Sequence, residues 1–146
     1  MTEFDFSSVK KQPVDYRQIG LILTKAERSL ASSRNISRQD PESAFTLAYE
    51  AMLKASMALM FSNSYRPRVQ LGHHKTLVNY SKYMLGKDFT GLSVTYDKMR
   101  GKRNRVVYDV GAVSRVEVEE ALATAEKFLQ VVKKKIEEEN PQMRLL

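Results

Sequence analysis

Apolar residues recur along most of this chain at the three-to-four spacing of one helix face, and no segment shows the convincing alternation of a half-buried strand. The stripe is cleanest towards the C-terminus, where Val118, Leu122, Ala125, Leu129, Val132 and Ile136 stand 4, 3, 4, 3 and 4 apart. That spacing predicts a helix of about five turns. Ser114, with Glu117 three residues on, has the spacing of a capping box, and Lys133 to Lys135 followed by Asn140-Pro141 provide a stop. A second long helix is predicted to follow Asp40, an N-cap residue type, with Pro41 at its first position. Phe45, Met52 and Leu59 repeat every seven residues beside Ala44, Ala48, Ala51, Ala55 and Ala58, so close helix packing is expected, with an end between Asn63 and Pro67. Upstream, Ile19, Leu23, Ala26 and Leu30 predict a first helix of about 16 residues, with Ser32 to Gln39 as its polar exit.

Between Leu71 and Leu85 the pattern is weaker, with Leu77, Tyr80 or Ser81, and Met84 on one side and Gly86 placed to cap the C-terminus. From Phe89, the residues Leu92, Tyr96 and Met99 step by 4 and 3 into the run Arg100 to Asp109. Gly101 is the point where this helix has room to bend, because Gly costs about 1 kcal/mol relative to Ala inside a helix. The expected fold is all-α, an up-and-down bundle of four to five antiparallel helices over residues 14–140. Residues 1–13 read as a loosely ordered N-terminal arm and 141–146 as a short tail.

Composition adds limits to this picture. With 146 residues, 42% of them hydrophobic, the chain can bury a single core without staples. It has no cysteine, so disulfides, thiol nucleophiles and thiolate metal sites are excluded. No apolar run has the length of a membrane span, and the first residues lack a signal-peptide core, so a cytoplasmic protein that keeps off membranes is expected. Charge is more telling once it is located. Residues 1–65, 66–105 and 106–146 carry +1, +8 and −2, so the middle segment holds more than the whole net charge of +7. A basic strip of that kind is the footprint of a polyanion partner such as RNA or a nucleotide; a merely solvated basic face is the alternative.

Serine-hydrolase and nucleotide-loop motifs are missing: there is no Gly-x-Ser-x-Gly, phosphate loop or Gly-x-Gly-x-x-Gly. His73 and His74 are successive, so on a helix they point about 100° apart and do not form an i, i+4 metal pair. Neither a metal nor a cofactor is expected. One histidine should face inward with a hydrogen bond and the other the basic groove. Lys98 to Arg105 holds five basic residues among eight. Such crowding is best tolerated where an anion or a facing carboxylate compensates. Arg100, Asn104 and Tyr108 share one helix face, whereas Arg103 lies about 140° from Tyr108. Arg103 and Tyr108 converge only if the helix ends or distorts, or if two subunits share the site. Alternatively, Arg103 pairs with a carboxylate such as Glu50.

The run Arg103-Asn104-Arg105-Val106-Val107-Tyr108-Asp109 resembles the signature of the HEPN domain family (higher eukaryote and prokaryote nucleotide-binding), prokaryotic type: an arginine followed by Asn and, a few residues on, a histidine. The Asp40-to-Met52 segment, Tyr65-Arg66-Pro67, Gly72-His73-His74-Lys75 and a closing helix after a Val-Ser pair match that family in order. The resemblance covers roughly Tyr16 to Ile136. It implies a helical bundle that dimerises, with both motifs lining a cleft on the two-fold. Many such proteins are metal-independent ribonucleases of toxin–antitoxin or defence systems, encoded beside a minimal nucleotidyltransferase. Carried over, Arg103, Asn104 and Tyr108 take the catalytic positions, with Tyr108 where the histidine stands. Arg100, Lys102, Arg105, His73 and His74 are the expected phosphate-binding residues, and Glu50 and Asp109 the structural partners of the motif. Because a phenol titrates near 10 and an imidazole near 6.5, Tyr108 is a poor base at neutral pH, and His73 or His74 would have to stand in. The alternative role is a non-catalytic interaction subunit that partners the nucleotidyltransferase.

Overall fold

The computed structural model describes residues 3–68, 73–108 and 112–145. Among them the helical spacing becomes five α-helices: α1 (Tyr16–Ile36), α2 (Pro41–Ser62), α3 (His73–Leu85), α4 (Thr90–Tyr108) and α5 (Arg115–Glu139). Helices α1, α2 and α5 each start where a side chain satisfies first-turn N–H groups. The Asp15 carboxylate accepts from the Arg17 and Gln18 amides, Asp40 accepts from that of Ser43, and Ser114 and Glu117 form the full capping box. At the end of α3, Gly86 adopts φ +75° and ψ −163°, a conformation essentially restricted to glycine.

Helix α2 is the centre of the bundle and packs against each of the other four helices. Its alanines at 44, 48, 51, 55 and 58 are buried at 0–1% exposure, which lets neighbouring backbones approach closely. Around it, α4 and α5 meet through the rings of Tyr96 and Phe128, 4.8 Å apart, and the buried Tyr96 hydroxyl is 2.8 Å from Ser56 Oγ. No helix is long and apolar enough among the described residues to cross a membrane.

Three local readings change. Helix α1 runs on to Ile36 through the expected polar exit, because Ser33 is fully buried and donates a 2.6 Å hydrogen bond to the Ala44 carbonyl of α2. Helix α4 passes Gly101 without interruption. A short ribbon is present where no strand was read: β1 (Val9–Lys11) pairs antiparallel with β2 (Tyr65–Pro67), Lys10 opposite Arg66. Residues of the expected loose arm are thereby tied down. Val9 is buried, Phe4 packs edge-on against Tyr80 at 5.1 Å, and Arg68 Nε donates to the Ser7 carbonyl at 3.1 Å. Partners this distant in sequence leave no local pattern, and strands of three residues are too short to show alternation.

Candidate functional site

The core stripe of α4, Leu92, Tyr96 and Met99, takes its next four-residue step at Arg103. Tyr96 and Met99 are buried at 0% and 5% exposure, so Arg103 projects along a core-facing line. It is partly buried, and its Nε is shut off from solvent with no hydrogen-bond partner. Arg100, three residues before Arg103, lies on a neighbouring side of the helix. Its Nε is 3.0 Å from Asp97 Oδ1, which also receives Lys75 Nζ at 3.3 Å. Burial pushes the Asp97 carboxyl upwards, but the hydrogen bonds from Arg100 and Lys75 outweigh it and hold it below the usual range.

Helix α3 begins with His73 and His74, their rings edge-on at 4.9 Å. His74 turns inward, its Nδ1 3.3 Å from the hydroxyl of Tyr49, which is fully buried on α2. Burial raises the Tyr49 phenol above its ordinary range, while the charges of Arg100 and Arg103 oppose the rise. The same two arginines bear on His74: burial first, then the charges of His73, Arg103 and Arg100, lower its pKa. These shared electrostatics place Arg100, Arg103 and His74, each partly buried, beside the fully buried Tyr49 where α2, α3 and α4 meet; this junction is the candidate crevice.

A buried phenol of raised pKa keeps its proton, and among the described residues its hydroxyl has no other acceptor than His74 Nδ1. The proton assigned this way leaves neutral His74 with its N–H on Nε2. Two guanidinium groups and one imidazole N–H, partly desolvated, suit an anion with several acceptor oxygens.

The expected site residues divide. Arg100, His73 and His74 gather with Arg103. Asn104 and Tyr108 continue the Arg100 side of a helix that runs unbroken to Tyr108, but both are exposed, Tyr108 at 77%, and turned about 100° and 140° from Arg103. Lys102 and Arg105 face α5, where Lys102 Nζ reaches the Ala112 carbonyl at 2.9 Å and Glu117 at 3.3 Å. Glu50 makes no ion pair with Arg103 among the described residues; with Glu42 it lines a groove beside Val106 and Val107. Asp109 lies outside the described residues, as does Gly72.

Tyr49, Lys75 and Asp97 were not foreseen as parts of the site. Asp97 is one of only two acidic residues between 66 and 105, a local signal, whereas Tyr49 sits unmarked in the alanine-rich run of α2. Among the described residues no group of three His, Asp or Glu side chains is arranged to hold a metal ion.

Residues 20–136 match a family model described as HEPN domain, a stretch that begins within α1, ends within α5 and includes every wall of the crevice. No curated protein matches the chain.

Proposed function

The chain belongs to the HEPN domain family, and from that premise we propose that it handles RNA through its phosphates, in the crevice between α2, α3 and α4, as a metal-independent ribonuclease of a toxin or defence system. Family membership suggests a function on nucleotides or RNA. The observation that carries the specific reading is Arg103, a cation placed on a core stripe with a buried, unpartnered Nε. A buried donor without a partner costs about 1–3 kcal/mol, and a bound phosphate would supply the missing acceptor.

In this reading Arg103 and Arg100 hold the scissile phosphate and offset the charge that grows on its oxygens as the 2′-hydroxyl attacks, its proton passing to water. The P–O5′ bond breaks, the 5′-oxygen taking a proton from water and a 2′,3′-cyclic phosphate remaining. His74, held by Tyr49 with its N–H on Nε2, donates a hydrogen bond to a phosphate oxygen and needs no change of protonation state; Tyr108 serves poorly as a base at neutral pH. Asn104 and Tyr108 would reach a phosphate from a second copy across a two-fold, which is supported by their exposure on an unbroken helix that turns them about 100° and 140° from Arg103. Purified protein should cleave a mixed RNA pool in chelator, and Arg103→Ala should lose the activity. Equal cleavage by both proteins sinks the reading.

A second reading, a non-catalytic interaction subunit of a minimal nucleotidyltransferase, is favoured by one feature: helix α4 carries a solvent-exposed phenol and no imidazole. Under it, RNA stays intact with both proteins, and the chain co-purifies with a minimal nucleotidyltransferase.

A further inference from the structure

Asp97 is an unexpected group to find beside a phosphate site. The segment 66–105 holds ten basic residues and two acidic ones, and the other acid, Asp88, lies in the turn before α4. A carboxylate here repels a phosphate, and its charge reaches the Tyr49 hydroxyl together with those of Arg100 and Arg103. Stability gives little account of it, because its ion pair with Lys75 joins two half-exposed side chains.

Its position offers a better account. Asp97 Oδ1 accepts from Arg100 Nε at 3.0 Å and from Lys75 Nζ at 3.3 Å. Arg100 is thus held by the N–H nearest its stem, and the N–H groups on its two Nη nitrogens make no hydrogen bond among the described residues. With Nε occupied, Nη1 and Nη2 are the pair left to grip a phosphate by two parallel bonds. Lys75 follows His74 on α3, so the same carboxylate oxygen ties the first turn of α3 to α4. Two cations on one carboxylate still leave the crevice with net positive charge.

We propose that Asp97 is a positioning residue: by anchoring Arg100 Nε, and through Lys75 the start of α3, it holds the Nη edge of that guanidinium in place for an RNA phosphate. An unanchored arginine gives up rotamer freedom when it meets the phosphate, whereas an anchored one has already done so. This role presupposes that the crevice takes RNA phosphate, as proposed above.

Charge and position predict opposite signs for Asp97→Ala. Asp97 is half-exposed and alanine suits a helix interior, so the variant should fold as the parent does. Anisotropy of a labelled 2′-O-methyl oligouridine, whose blocked 2′-oxygen cannot attack, reads binding to the full chain without cleavage. Asp97→Ala should weaken that binding about fivefold, the penalty for leaving one side chain free. In an Arg100→Gln background the same change has no guanidinium to release, and affinity should stay level or rise about twofold as repulsion alone is removed. Without any RNA, the Arg100 Nε–H signal in NMR should exchange slowly with water in the parent and quickly in Asp97→Ala.

Parental or tighter binding by Asp97→Ala overturns the proposal. So does an equal loss in both backgrounds, which marks Asp97 as a group that acts without Arg100. A parental Nε–H that exchanges as fast as that of a free arginine overturns it whichever way the variants bind. Arg103→Ala, measured in parallel, separates this role from the crevice itself. Parental binding there rejects the crevice and the role with it, whereas loss there beside a parental Asp97→Ala rejects the role of Asp97 alone.

Discussion

Arg103 works against the stability of its own helix. Its stem follows the line of Tyr96 and Met99, but its Nε is buried without a partner. Arg103→Met keeps an unbranched chain of similar reach and removes the orphaned donor, so urea denaturation should show a gain of about 1 kcal/mol. RNA binding in the crevice should be lost in the same variant. A variant that is both less stable and still active would show that Arg103 is a packing residue. His74 gives a pH signature. Its folded-state pKa lies below the ordinary 6.5, with burial as the main cause. As pH falls below 6.5 the unfolded chain takes up this proton before the folded one does, so stability drops with pH across that window. His74→Gln should flatten the stability profile below about pH 6.5 relative to the parent. The carboxylates act in the same sense, lower down. Asp97 and Glu117 are held below their ordinary range, so their stabilisation is present above it and disappears as pH falls through it. Of these residue-scale features, Arg103 was visible in the sequence through its motif. The Tyr49 contact was not, because it joins residues 25 apart that share no helix face.

At the scale of the element, the helices with local signals were the legible ones. The cap, stripe and stop of α5 are all encoded within about seven turns, and the capping box at Ser114 and Glu117 forms as read. The Asp40-Pro41 start of α2 is equally local. Helix α1 was underestimated since Ser33 is polar by type but buried by its bond to Ala44, a tertiary event that overrides propensity. Gly101 misled in the same way, its permissiveness suggesting a bend that the packing of α4 does not take. A Cβ built there meets only Arg105 Nη1, at 3.9 Å. Gly101→Ala should therefore stabilise the protein by about 0.5–1 kcal/mol, measured by thermal melting, by lowering the entropy of the unfolded chain. A loss of stability would mean that α4 needs to flex at this residue.

At the scale of the whole molecule, the basic strip is not one surface. It divides into the crevice of Arg100, Arg103 and the histidines, the α5-facing Lys102 and Arg105, and the ribbon around Arg66. If the crevice is completed by Asn104 and Tyr108 of a second copy, light scattering should give about twice the 16.7 kDa chain mass. A monomer that retains full RNA cleavage would place the whole active site in one chain. The amino-acid sequence by itself determined the all-α class, the caps and the concentration of positive charge between residues 66 and 105, because each is written in neighbouring residues or in a period of 3.6. Tertiary structure alone decided which basic residues act together. The winding of α4 sends Arg100 and Arg103 to one side and Lys102 and Arg105 to another, and only packing brings α2 and α3 to the first side, where burial and shared charge give Tyr49 and His74 their chemistry.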